Sequence, residues 1–275
     1  MEASKTKIRS IGVITHPEVP KDFVQKVAGN LRRKGVGLVF DPLAAGKTNE
    51  KETNIRDMDI DLAVILGGDG TLLWSVNELR GSPLILGINT GRIGYLAELD
   101  AENMEKNLKK LFSGEFLVDE RAKLRINGKY EVINEVVILP QRPASLLEFR
   151  MSIGKEKAAE FRADGLLVST QTGSTGHSLS LGGPVIHPDA KAYLITPIAP
   201  FMQEQPPVIV PDNIKTTIEL SGKKKDACIV MDGNLIRKMK HSEKLVVEKS
   251  NNTVKFVRFS ERKWKISKRN TGYLN

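Results

Sequence analysis

Residues 66–73 read LGGDGTLL, directly behind the apolar run Leu62-Ala63-Val64-Ile65. A buried strand ends there in two glycines, and a carboxylate stands among glycines before the next apolar run. Gly67, Gly68 and Gly70 lack Cβ atoms, so a phosphate can approach the backbone closely. A helix opening near Thr71 turns its free amides and the positive end of its dipole toward that anion. Asp69 is the anomaly. A carboxylate in an anion cradle needs a chemical role, either taking a proton from an attacking hydroxyl or helping to hold Mg²⁺. The plainer reading of the same residues is a tight strand-to-helix turn capped by the Asp.

Four further constellations lie downstream. Gly87-Ile88-Asn89-Thr90-Gly91-Arg92-Ile93-Gly94-Tyr95 also follows a buried strand, and two such loops at the carboxyl ends of parallel strands can line one crevice. Asn134-Glu135 interrupts an otherwise apolar strand, which is costly if the pair is buried without partners. An amide and a carboxylate suit the paired hydroxyls of a ribose or the edge of a base, and equally a bulge or an exposed edge. Arg162-Ala163-Asp164-Gly165 leads into the strand run 166–170, and residues 170–183 read TQTGSTGHSLSLGG. Hydroxyls and glycines this dense suit pyrophosphate or sugar. Asp232-Gly233-Asn234 reads as a hairpin turn.

Other chemistries lack their residues. There is no GxxxxGK[ST] loop, no complete GxGxxG fingerprint and no HExxH, and the four histidines are scattered. Leu73 stands where a dinucleotide fingerprint beginning at Gly68 needs its third glycine. The single cysteine, Cys228, excludes an internal disulfide and a Cys-based zinc cluster.

The elements that must carry these loops change character along the chain. Strand runs at 11–15, 36–40, 62–66 and 84–88 alternate with helical spacing at Phe23, Val24, Val27 and Leu31, at 71–79, and at Met104, Leu108, Leu111 and Phe112 before Gly114. That alternation predicts an α/β domain over 1–114, with a Rossmann-like parallel sheet covered by helices. From 115 to 260 helical periodicity fades. Residues 121–126, Asn127-Gly128 and 129–133 give a strong hairpin signal. Short runs at 146–153, 166–170, 214–220, 227–231, 245–247 and 254–259 complete a mostly antiparallel β domain. The tail 261–275 is expected to pack back on the first domain.

At 275 residues, 40% hydrophobic and 27% charged, the chain has the composition of an ordinary folded protein. The net charge is +9, but the basic residues are dispersed and only 5% of residues are aromatic. That pattern argues against a nucleic-acid partner and for attraction of phosphorylated small molecules. No apolar stretch approaches the ~20 residues of a membrane span. MEASKTKIRS has no secretory apolar core, so a cytoplasmic location is expected.

Taken in order, these segments resemble the NAD kinase family over residues 62–232. GGDG at 67–70 is similar to the family's catalytic loop, and GINTGRIGY at 87–95 to its second glycine loop, with Ile93 for the usual Leu. Asn134-Glu135, the R-x-DG of 162–165, the TGST of 172–175, the S-x-GGP of 180–184 and Asp232-Gly233 fall in family order. The resemblance implies transfer of a terminal phosphoryl group from ATP or polyphosphate, with Mg²⁺, to the 2′-hydroxyl of NAD's adenosine ribose. It makes Asp69 the base or metal organiser and puts Gly67, Gly68, Gly70 and Thr71 near the donor phosphates. It assigns Tyr95, Asn134, Glu135, Arg162, Asp164, Thr175, Gly176, His177, Ser180 and Asp232 to NAD, with Asp164 at the nicotinamide end. His177 stands where many members carry a stacking tyrosine, and offers less area and a titratable ring. The resemblance also implies a homodimer or homotetramer.

Overall fold

A computed structural model of the chain describes residues 2–3, 8–90, 96–202, 205–222 and 225–261. Tyr95, with residues 91–94, and the tail 262–275 lie outside them.

The strand Leu62–Leu66 is buried at every position. Leu62, Val64 and Leu66 enter one core while Ala63 and Ile65 enter another, as period-two alternation dictates for a strand covered on both faces. It pairs in parallel with Ser10–Thr15 on one side and Leu84–Asn89 on the other, and Gly37–Phe40 lies outside Ser10–Thr15. The helix Lys21–Arg32 turns Val24, Val27, Ala28 and Leu31 onto the first core. Met104–Ser113 adds Met104, Leu108 and Leu111 to the same face. The opposite face is covered by Asp69–Glu78 through Leu72 and Val76.

Two features of the helices in this first domain differ from the sequence reading. The helix Pro42–Thr48 was not anticipated: Asp41 caps it by accepting the Ala44 amide at 2.8 Å, and Pro42 occupies its first turn. The glycine-loop helix begins at Asp69 rather than near Thr71, with Gly68 as its N-cap. Asp69 therefore belongs to the first helical turn.

The remainder is antiparallel. Leu117–Ile126 and Tyr130–Val132 form the expected hairpin, with Asn127 at φ 51° and Gly128 at φ 68°, as a type I′ turn requires. The first half of the long strand Glu156–Ser169, residues 156–163, pairs with Leu147–Ile153, and its second half pairs with Glu135–Pro140 and Ala192–Pro200. Two sheets thus share one strand and enclose a single core that includes Phe149, Phe161, Leu166, Tyr193, Ile218 and Leu245.

The two late runs at 245–247 and 254–259 are one strand, Lys244–Arg258, interrupted by an irregularity between Lys249 and Thr253. Its first residues pair with Thr216–Ser221. Its last run antiparallel to Leu117–Ile126, while Lys255 and Phe256 pair in parallel with Leu84 and Ile85. One strand therefore joins both sheet systems. Among the described residues no helix is long and apolar enough to cross a membrane.

Candidate active site

Thr15 pairs with Leu66, and Leu66 with Ile88, so three neighbouring parallel strands end together. Their carboxyl ends open on a crevice of ≈ 920 Å³ lined by Thr15, His16, Gly67, Gly68, Gly70, Thr71, Trp74, Asn89 and Thr90 among others. Asn234 of the β hairpin Ala227–Met231/Asn234–Met239 closes part of it. This is where an open α/β sheet takes its ligands.

The glycine loop is built for close approach. Gly67 has φ 152°, and a Cβ there would meet the Thr71 hydroxyl oxygen at 2.6 Å. The Leu72 amide donates to the Gly68 carbonyl at 3.1 Å, the bond that starts the helix. The amides before it have no partner within the helix, so the helix presents donors and its positive dipole end to the crevice. Asp69 is half-buried there. Its Oδ1 accepts the amides of Leu96 at 3.1 Å and Ala97 at 3.4 Å, which fixes the carboxylate between the two glycine loops.

A second cluster forms where Asn134-Glu135 meets the hydroxyl-rich loop. Asp232, 7% exposed, accepts the Ile133 and Asn134 amides at 2.8 Å and the Glu135 amide at 3.0 Å. Asn77, on the glycine-loop helix, donates its side-chain amide to the same carboxylate at 3.0 Å. The Thr170 amide donates to the Asn134 carbonyl at 2.9 Å, and the Thr170 hydroxyl donates to the Ile133 carbonyl. A Cβ on Gly173 would collide with the Asn134 carbonyl, so only glycine allows this approach. Glu135 is the uncompensated member. Its Oε2 is buried with no hydrogen-bond partner, and a Cβ on Gly176 would lie 4.0 Å from it. Burial first, and the Asp232 carboxylate second, push the Glu135 carboxyl up to about 7.

Residues 7–116 match the ATP-NAD kinase N-terminal domain family and residues 133–259 the ATP-NAD kinase C-terminal domain family. The NAD kinase of Methanothermobacter thermautotrophicus is 34% identical over 260 residues, covering 91% of this chain and 92% of that protein. The NAD kinase of Methanosphaera stadtmanae is 36% identical over 78% of this chain and 79% of its own. The chain belongs to the NAD kinase family. Its reaction is the phosphorylation of NAD to NADP. An NAD kinase from Archaeoglobus fulgidus, solved in complex with ATP, is similar with a TM-score of 0.77 and 27% identity, covering 92% of this chain and 94% of that one. Yeast NADH kinase shares the fold at a TM-score of 0.83 and 21% identity, over 94% of this chain and 86% of its own.

Not every residue assigned by resemblance to the NAD kinases gathers at these two clusters. Arg162 and Asp164 are exposed on Glu156–Ser169. Asp164 is five residues from Ser169, the partner of Glu135, hence roughly 17 Å along the strand. The Arg162 guanidinium lies 4.7 Å from the centre of the Phe201 ring. His177 and Ser180 are exposed at the two ends of the single-turn helix His177–Ser180. Thr175, whose hydroxyl donates to the Thr172 carbonyl at 3.2 Å, and Gly176 precede that turn.

Sequence reasoning passed over three features of this kinase. Trp74, 40% exposed, lines the crevice three and four residues after Thr71 and Gly70, a helical spacing that was available in the sequence. The grip of Asp232 on Asn134 spans 98 residues and has no local signal. Beneath the site, Arg121, Arg258, Asp119 and Glu98 form buried ion pairs. Burial pushes the Arg121 guanidinium down to about 10, with Arg258 pushing the same way. Arg258 is lowered by burial, while Glu98 and Asp69 pull it back up.

Proposed function

We propose that Asp69 accepts the proton of the 2′-hydroxyl on NAD's adenosine ribose as that oxygen attacks the terminal phosphorus of ATP. The new bond joins the 2′-oxygen to phosphorus, the bond to the β-phosphate oxygen breaks, and ADP leaves with that oxygen's electrons. One observation carries this reading: a carboxylate in the first turn of Asp69–Glu78, held by two amides, on the same loop as Gly68, Gly70 and Thr71, which line the crevice. Phosphoryl transfer asks mainly for positioning and charge neutralisation. The glycine-loop amides and helix dipole supply the second on the donor side.

ATP as donor is supported by the ATP complex of the similar Archaeoglobus fulgidus kinase. Trp74 adds an apolar face for a nucleoside base, which polyphosphate lacks. Among the described residues no three or more His, Cys, Asp or Glu side chains could hold a metal ion. A lone carboxylate beside a phosphate cradle fits Mg²⁺ carried in by the donor's phosphates rather than held in a protein cage. When bound, the ion neutralises charge on the donor phosphates.

On the acceptor side, Asn134 and Glu135 hold ribose hydroxyls, with Asp232 fixing their backbone. Thr175, Gly176, His177 and Ser180 wall the dinucleotide. Arg162 and Asp164 serve the site of a neighbouring subunit in a homo-oligomer, because they stand far along Glu156–Ser169 from Glu135.

The test is Asp69→Asn with saturating NAD, ATP and Mg²⁺. Turnover is expected to fall about 10²–10⁴-fold, with NAD affinity by calorimetry within about twofold of wild type. Undiminished turnover overturns the role given to Asp69.

A further inference from the structure

Arg258 is 6% exposed, at the end of the strand Lys244–Arg258. Its Nη1 donates to the Leu96 carbonyl at 2.9 Å and to Glu98 at 3.1 Å, while its Nε reaches Asp119 at 3.3 Å. The Leu96 carbonyl and the Ala97 amide belong to one peptide group, and that amide points at Asp69 Oδ1. A single peptide therefore stands between a buried guanidinium and the proposed proton acceptor. Cation, peptide and carboxylate polarise one another along such a line.

Asp119, 2% exposed, is shared. Both its oxygens accept from Arg121 Nε at 3.0 Å. Arg121 Nη1 then donates to the Thr172 hydroxyl at 3.3 Å, at the start of the TGST turn. Neither arginine lines the crevice. Burying two guanidiniums with their carboxylates is expensive and is no efficient route to stability. A planar fork that holds several acceptors at fixed angles gives orientation instead.

We propose that Asp119 and its two arginines form a positioning frame, in which Arg258 orients Asp69 through the Leu96–Ala97 peptide and Arg121 orients the dinucleotide loop through Thr172. This rests on the proton-acceptor reading of Asp69. The frame ties the two reacting partners to one carboxylate. Its two arms act on different steps: Arg258 on the chemistry, Arg121 on NAD binding.

The experiment compares Arg258→Lys and Arg121→Lys, alone and with Asp69→Asn, by steady-state kinetics and by NAD calorimetry. Lysine keeps the charge but cannot reach all the acceptors of the fork. Arg258→Lys is expected to lower kcat about ten- to a hundredfold, with the KM for NAD within about twofold. Arg121→Lys is expected to raise the KM and Kd for NAD with kcat nearly unchanged. In the Asp69→Asn background Arg258→Lys should cost nothing more, since its effect passes through Asp69. Wild-type kcat in Arg258→Lys, equal losses of kcat and KM in both variants, or an additive loss in the double variant overturns the frame. Full turnover by Asp69→Asn alone would instead remove the reading beneath it. Should either lysine variant fail to fold, Thr172→Val for the Arg121 arm and Glu98→Gln for the Arg258 arm carry the same kinetic split.

Discussion

Asp232 holds Asn134 by the backbone: one carboxylate oxygen accepts the Asn134 amide at 2.8 Å and the Glu135 amide at 3.0 Å, while the other takes Ile133 at 2.8 Å. The acid fixes where the neighbouring amide and carboxyl side chains start. Asp232→Ala leaves three partly buried amides without this acceptor. It is expected to cost about 2–4 kcal/mol of stability and to raise the Kd for NAD at least tenfold. Asp232→Asn, which keeps one acceptor oxygen, should fall between. Chemical denaturation and calorimetry read both; unchanged NAD affinity in Asp232→Ala would count against the arrangement.

Glu135 makes stability depend on pH in a definite direction. Burial and the facing Asp232 carboxylate raise its carboxyl to about 7 from an ordinary 4.5. Between those values the folded protein binds the proton better than the unfolded chain, so this contribution is full below about 4.5 and is lost as pH rises through 7. Glu135→Gln cannot ionise. Its stability relative to wild type should therefore improve by on the order of 1–3 kcal/mol between pH 5 and 8. A difference that stays constant across that range would rule out the burial argument.

Trp74 should report occupation of the crevice. The chain has two tryptophans, so a Trp264→Phe background isolates Trp74. ATP is expected to change its emission saturably, and polyphosphate, having no base, to change it far less. A silent Trp74 at saturating ATP would place the base elsewhere.

Arg162 and Asp164 predict shared sites. Asp69→Asn and Asp164→Ala, each inactive alone, should regain activity when unfolded together and refolded. A randomly mixed dimer with sites built across the interface recovers about a quarter of wild-type activity. No recovery, or a monomer by light scattering, would confine both residues to their own subunit.

What the sequence disclosed, and what it hid, follows from range. The glycine loop behind Leu62–Leu66 and the Asn127-Gly128 turn are local chemistry, and both stand where the pattern puts them. Pro42–Thr48 escaped because seven residues with Gly46 and two alanines carry little periodicity; its signal is the cap at Asp41. Lys244–Arg258 looks like two runs because the polar residues 248–253 interrupt its apolar ones, whereas the chain keeps to the sheet through an irregularity. Asp119 and Arg121 sit in an alternating, charged hairpin that looks solvated. Only the fold shows that Arg258 lies against Asp119, across 139 residues.

The strand Lys244–Arg258 also orders events in time. Val254, Phe256 and Val257 fill both cores of the first sheet, beside Ile14, Ile65 and Leu66. A ribosome making this chain delivers the glycine loop well before the residues that finish its sheet. The glycine loop at 67–70 is made before the whole β domain that separates it from 254–257, so during synthesis the first sheet lacks these side chains until that domain has been made.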